Sequence, residues 1–298
     1  MEFSYEEKLE MARQVRATNV VTTLITPEYE KNLDLVDCDE RFIKTSEGES
    51  HVYIITPKEN KDIYPLYINI HGGGFVRPYA KRDTVFCSKI AAHVGCKVID
   101  IDYKLAPEHP FPEGLNECYA IVKWAFENAK KLNIDTENVI LGGHSAGGNF
   151  TAAIALMANK SKDFKLKYQI IDYPFMDAVT DPEEKMLEGD LIPPDRARKF
   201  NALYVDNEED KHNPLVSMVL ATEEMLIGLP PALVITSAYD SLRAEAEKYA
   251  IMMAQAGVEV KVKRFLNSKH GFVINCQQEF EEGQNLIIKT LKQGFYNL

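Results

Sequence analysis

Short runs of β-branched and aromatic residues recur along the chain, separated by stretches in which apolar residues return every three or four positions. The runs Val36 to Lys44, His51 to Thr56, Tyr64 to Ile70, Lys97 to Tyr103, Val139 to Gly142, Leu166 to Asp172, Ala232 to Ser237 and Val258 to Phe265 read as eight strands. Only the polar Ser46-Glu47-Gly48-Glu49 and its neighbours separate the first two, which predicts a hairpin and antiparallel pairing. The later runs stand far enough apart to hold crossover helices. One such helix is expected from Gly114 to Lys131, where Leu115, Tyr119, Val122 and Phe126 build one apolar face, and another from Ala146 to Asn159. Strand alternating with helix predicts an α/β fold: a mostly parallel eight-stranded sheet, covered on both faces, with an antiparallel start.

Two segments break the alternation. Residues 1 to about 30 read as a charged amphipathic helix, with Leu9, Met11 and Val15 as its apolar positions, followed by Pro27. Residues 175–231 carry Pro182, Pro193, Pro194, Pro214, Pro230 and Pro231 among acidic runs. A long insertion on the carboxyl side of a parallel sheet is the natural place for a lid, because structureless loops of that length are uncommon. Both segments are therefore expected to form a helical cap on a single domain spanning residues 1–298. The chain shows no internal repeat and no low-complexity tract.

Composition narrows the functional classes. With 45% hydrophobic residues, 14 Phe and 14 Tyr, the 298-residue chain has enough apolar matter for one large core. Lys plus Arg number 34 against 45 Asp plus Glu, and the resulting −11 argues against binding to a phosphate backbone. It also disfavours anionic substrates unless the pocket is locally basic. The cysteines, Cys38, Cys87, Cys96, Cys118 and Cys276, are odd in number and lack zinc-ligand spacing, so neither a disulfide framework nor a metal site is indicated. The N-terminus lacks the basic and apolar regions of a signal peptide, and no stretch approaches the roughly 20 apolar residues of a membrane span. A cytoplasmic protein is expected.

The strand Val139 to Gly142 runs into Gly143-His144-Ser145-Ala146-Gly147-Gly148, a G-x-S-x-G between a strand and a helix. A serine on so sharp a turn is forced into strained backbone, and the small residues two before and two after it let chain segments pass. Ser145 would stand exposed as a nucleophile, and the Ala146 N–H, at the new helix's start, would be free to donate to a developing oxyanion. The alternative is a glycine-rich phosphate turn with an incidental serine. Walker-type and dinucleotide-binding loops are excluded by spacing. Upstream, the apolar strand ending at Ile70 leads into His71-Gly72-Gly73-Gly74-Phe75, whose unobstructed peptide N–H groups suit the other half of an oxyanion hole. Gly73 and Gly74 are the candidate donors, and loss of such a donor costs about 10²–10³ in turnover. His71 is expected to brace this loop by hydrogen bonding.

HGGGF at 71–75, DYKLAPEHPFP at 102–112 and GHSAGG at 143–148 together resemble the hormone-sensitive-lipase-like family of α/β hydrolases, in its bacterial esterase branch. The likeness extends to Asp240-Ser241-Leu242-Arg243, similar to the family's D-x-L-R-D, and to His270-Gly271-Phe272, similar to its H-x-F loop. The resemblance implies an α/β-hydrolase fold, a triad of Ser145, Asp240 and His270, and an oxyanion hole from Gly73, Gly74 and Ala146. The chain order Ser, Asp, His and the position of both partners after strands agree with that assignment. The other histidines read as strand, helix or loop residues, and Asp177 is the rival acid. Two positions depart from the family pattern: His144 stands where Asp usually precedes the nucleophile, and Ala244 follows Arg243, so that Glu245 does not fall where a second acid would.

These features predict a carboxylesterase working through an acyl-enzyme and needing neither cofactor nor metal, and the resemblance implies short- to medium-chain esters. Its partner would be a small-molecule ester. The same triad serves amides such as arylformamides, and a decayed hydrolase could act as a ligand receptor, a reading that the intact triad residues disfavour. The resemblance further implies a homodimer through the edge strand Val258 to Phe265, whose Val258, Val260 and Val262 alternate with Glu259, Lys261 and Lys263.

Overall fold

The computed structural model describes residues 3–17, 23–185 and 192–296. All eight expected strands are present: β1 (Val36–Thr45), β2 (Gly48–Pro57), β3 (Tyr64–Ile70), β4 (Lys97–Asp102), β5 (Ile134–His144), β6 (Tyr168–Asp172), β7 (Ala232–Tyr239) and β8 (Val260–Lys269). They form one sheet in the order β1-β2-β4-β3-β5-β6-β7-β8. β1 and β2 are an antiparallel hairpin closed at Thr45 and Gly48, β2 also runs antiparallel to β4, and every other pairing is parallel.

The central strands read as continuous apolar runs because both faces are covered. Every residue of β3 is buried. Leu66, Ile68 and Ile70 face one core, with Phe150, Ile154 and Ile121, while the intervening Tyr67 faces the other, with Phe86, Ile90 and Leu291. Helices Glu113–Glu127, Ala146–Ser161 and Arg243–Gln255 cover the first face, and helices Lys81–Val94 and Phe280–Tyr296 the second. Fully burying one such Leu, Ile or Phe contributes about 1.5–3 kcal/mol. Among the described residues, no helix is long and apolar enough to cross a membrane.

Several details differ from the sequence reading. The helix expected to reach Lys131 stops at Glu127: Asn128, at φ −105° and ψ 16°, leaves helical geometry, and its side-chain amide caps the Trp124 carbonyl at 2.9 Å. A separate turn, Ala129–Leu132, then leads into β5, which starts at Ile134 and not at Val139. The expected valine face at β8 is only partly covered: Val258, just before the strand, is buried, but Val262 is 51% exposed.

The two irregular segments meet one another. Ala12 and Val15 of the N-terminal helix Tyr5–Ala17 pack with Leu203 of the helix Pro194–Tyr204, and with Val76 and Ala106 from the sheet's loops. The buried face of the first helix is Lys8, Ala12 and Val15, whereas Leu9 and Met11 are half-buried. A lysine can occupy that face because its stem lies along apolar surface while its ammonium reaches the Val205 carbonyl at 3.2 Å and Asp206 Oδ1 at 2.8 Å. Arg16 closes the contact, with Nη1 and Nη2 on the two oxygens of Glu108 at 2.7 and 2.6 Å.

Candidate active site

β5 ends at His144, and the next residue, Ser145, has φ 55° and ψ −112° before the helix Ala146–Ser161 begins. A non-glycine residue there carries a strain of about 1–3 kcal/mol, held by its surroundings. The flanking glycines make the turn possible: a Cβ on Gly143 would run into the Gly147 carbonyl, and one on Gly147 into the carbonyl of Ile70. The Ser145 N–H is tied to the Asp172 carbonyl at 2.9 Å, and its own carbonyl accepts from Asn149 and Phe175.

Two further loops bring their side chains to this turn. His270 follows β8, and its Nε2 lies 2.9 Å from Ser145 Oγ. Asp240 follows β7, and its Oδ2 lies 2.8 Å from His270 Nδ1. The second carboxylate oxygen accepts the Leu242 N–H at 3.0 Å, which fixes the acid's orientation. Asp240 is 1% and His270 23% exposed at the side chain, so the acid is sealed while the imidazole faces the cavity. Asp177, the rival acid, is engaged locally, accepting from Val179 N–H at 2.8 Å and from the Thr180 N–H and hydroxyl at 3.0 and 2.6 Å.

The His71–Phe75 loop lies directly against the serine turn, since a Cβ on Gly72 would sit 2.9 Å from the His144 carbonyl oxygen and 3.4 Å from Ser145 Cβ. Gly73 and Gly74 have φ of +129° and +62°, which glycine alone adopts readily. The Gly73 carbonyl accepts from Val76 and Arg77, whereas the N–H groups of Gly73 and Gly74 have no acceptor among the described residues. His71 does brace the loop: its Nδ1 is 2.6 Å from the Gly72 carbonyl oxygen, and its ring stacks on Tyr103 at 4.3 Å. Burial pushes its pKa down and keeps the ring neutral.

Ser145, His270, Gly73, Gly74 and Ala146 line one cavity of about 500 Å³. The helix Pro194–Tyr204 forms its roof through Arg196 and Phe200, and the Phe200 ring rests so close to Gly74 that a Cβ there would overlap it. No described residue of the N-terminal helix lines the cavity; that helix backs the roof helix from outside.

Two residues noted in the sequence only as departures from the family pattern have buried partners. His144, the last residue of β5, is a structural histidine: its Nδ1 is 2.7 Å from Asp172 Oδ2, with both side chains almost fully buried beneath Ser145. Glu245 is buried behind the acid loop, accepts from the Met176 and Asp177 N–H groups at 2.6 and 3.2 Å, and pairs with Lys185 Nζ at 2.6 Å. Burial raises its pKa to about 7, against the pull of Lys185. Its position at the start of a helix that follows D-x-L-R was the available signal.

Residues 67–274 match the family described as alpha/beta hydrolase fold. The chain is 32% identical to an arylesterase of Saccharolobus solfataricus over 237 residues, covering 78% of this chain and 75% of that one. It is 31% identical to a carboxylesterase of Mycobacterium tuberculosis over 227 residues, 74% and 70% of the two chains. A hyperthermophilic esterase from Pyrobaculum calidifontis superimposes with a TM-score of 0.81 at 28% identity, covering 98% of this chain and 99% of that one. The chain belongs to the α/β-hydrolase family, in its hormone-sensitive-lipase-like branch, and is a serine hydrolase of carboxylic esters.

Proposed function

We propose that the protein is a carboxylesterase that cleaves short- to medium-chain esters through an acyl-enzyme on Ser145. The observation that carries this reading is the unbroken path from Asp240 through His270 to Ser145, at 2.8 and 2.9 Å, opening on the cavity beside two glycine N–H groups that have no acceptor among the described residues. Ser145 Oγ attacks the ester carbonyl carbon while His270 Nε2 takes its proton. The negative charge on the former carbonyl oxygen is met by the N–H groups of Gly73, Gly74 and Ala146. Collapse breaks the carbon–oxygen bond, and His270 returns the proton to the departing alcohol. Water, deprotonated by the same imidazole, then releases the acid and restores Ser145. Asp240 holds the tautomer with Nδ1 protonated and supports the imidazolium charge.

Residues 1–30 and 175–231 act in this reading as a cap on one domain, with the helix Pro194–Tyr204 over the acyl group and the N-terminal helix holding it down. A homodimer through β8 is the matching assembly, since the outer edge of that strand has no partner strand among the described residues and Val262 and Leu266 are 51% and 63% exposed. Sedimentation of the wild type against Val262→Glu tests it: a dimer that the charge converts to monomer supports the assembly, and a monomeric wild type removes it. For the reaction, a p-nitrophenyl ester series from acetate to decanoate is the direct test. Activity is expected to fall with the longest chains, and Ser145→Ala to lose about 10⁶ in kcat. Turnover unchanged in Ser145→Ala would overturn the assignment.

A further inference from the structure

Two arginines on the roof helix, two residues apart, are treated in opposite ways. Arg198 faces outward and is ringed by carboxylates: Asp181 at 2.6 Å, Asp195 at 3.0 Å and Glu183 at 3.3 Å. Arg196 faces the cavity. Its guanidinium carbon lies 5.6 Å from the centre of the Phe200 ring, and its buried Nε has no hydrogen-bond partner. Among the described residues, no carboxylate comes within ion-pair distance of it. In a chain with a net charge of −11 an acid was easily supplied, as Arg198 shows.

The other charges around the cavity do not cancel it. Lys185 is spent on Glu245 at 2.6 Å. Arg82 gives Nη1 to Asn275 Oδ1 at 2.8 Å and lies 3.9 Å from Asp83, the cavity's acid among the described residues. Arg77, which donates to the Val15 carbonyl at 2.9 Å, adds its positive field to that of Arg196. Burial first, and Arg77 second, bring the Arg196 pKa down to about 10, which leaves it protonated at neutral pH. With no carboxylate paired to it among the described residues, this part-buried cation is costly to hold, and an anion arriving in the cavity would relieve that cost.

We propose that the enzyme prefers esters carrying a second, anionic group, a carboxylate, and that Arg196 is the residue that binds it. The inference rests on the esterase reading of Ser145 and extends it to a substrate class. Arginine suits the task because its planar fork can hold both oxygens of a carboxylate, and the guanidinium lies 5.6 Å from the Phe200 ring, which itself rests beside Gly74 at the cavity. The acidic exterior does not prevent it, since at physiological salt its repulsion is screened within about 8 Å while the cavity wall is close to the substrate.

The test compares matched esters on the full-length enzyme. Monomethyl adipate against dimethyl adipate places the charge on the acyl side, and 4-acetoxybenzoate against its methyl ester places it on the alcohol side. In one of these pairs the anionic member is expected to have a kcat/KM at least about tenfold above its neutral partner, chiefly through KM, and added NaCl should erode that ratio. Arg196→Gln should lower the ratio by about 10- to 100-fold, the range for a lost charge-assisted bond, and Arg196→Lys should restore part of it. The proposal is overturned if the neutral member is preferred in both pairs, or if Arg196→Gln leaves the ratio unchanged in folded protein. A wild type that cleaves neutral esters but not anionic ones defeats the proposal alone; one that cleaves no ester at all defeats the esterase reading beneath it.

Discussion

The molecule holds two histidine–aspartate pairs near Ser145, almost identical in hydrogen-bond length. His270 and Asp240 meet at 2.8 Å, His144 and Asp172 at 2.7 Å. The first pair sits on loops after β8 and β7, and its outer nitrogen meets Ser145 Oγ at the cavity. The second is a cross-strand pair, at matching positions on the ends of β5 and β6. Its outer nitrogen is buried without a partner among the described residues, and its ring meets the edge of Phe86 at 4.8 Å. Desolvation raises the Asp172 pKa, against the pull of His144. In the proposed mechanism a short His–Asp bond is therefore not what makes a base; access and a nucleophile on the far nitrogen are. The buried pair instead pins the strand end from which the strained serine turn departs.

The sharpest way to break this distinction is to change the two acids alike. Asp240→Asn is expected to keep the fold and lose about 10⁴ in kcat, because the wrong tautomer faces Ser145. Asp172→Asn should cost less than about tenfold in kcat but destabilise the fold by about 1–3 kcal/mol, seen as a lower Tm. If Asp172→Asn proved the more damaging to kcat, the roles would be reversed.

A smaller effect is expected from the loop opposite. Gly74→Ala places a methyl against Phe200 at a φ of +62° and should displace the N–H that faces the oxyanion, for a loss approaching 10²–10³ in kcat with little change in KM. An unchanged kcat would remove Gly74 from the oxyanion hole.

The smallest effect concerns stability. Asp100 is buried on the far face of the sheet, bonded to Asn69 and Tyr79 at 2.8 and 2.7 Å, and burial raises its pKa to about 7. The folded state thus holds a proton that the unfolded chain releases near pH 4, so this contribution is complete at low pH and is lost as the pH rises toward 7. Glu245, also raised to about 7 by burial, acts in the same direction. Asp100→Asn should therefore show a shallower fall of Tm between pH 5 and 7.5 than the wild type; equal slopes would contradict it.

The serine turn could be read from the chain because it depends on local geometry. Gly143 and Gly147 announce the serine turn, since only a missing Cβ lets β5, the following helix and β3 meet there. The strands were legible because burial on both faces, as in β3, demands unbroken apolar runs. What escaped depends on partners distant in sequence. The His144–Asp172 pair spans 28 residues and the Glu245–Lys185 pair 60, and neither leaves a periodic trace. The direction of Lys8 is set by the Val205 carbonyl, which no helical pattern of the first residues encodes. Arg196 and Arg198 likewise look equivalent in sequence until the roof helix is seated on Gly74.

The central claim is that Ser145, served by His270 and not by His144, is the nucleophile. Labelling with a fluorophosphonate, followed by peptide mass spectrometry, tests it most directly, using the wild type, Ser145→Ala, His270→Ala and His144→Ala. The account predicts a single adduct on Ser145 in the wild type, none in Ser145→Ala, strongly slowed labelling in His270→Ala, and labelling that persists in folded His144→Ala. An adduct on another residue, or persistent labelling in His270→Ala with loss in folded His144→Ala, would contradict it.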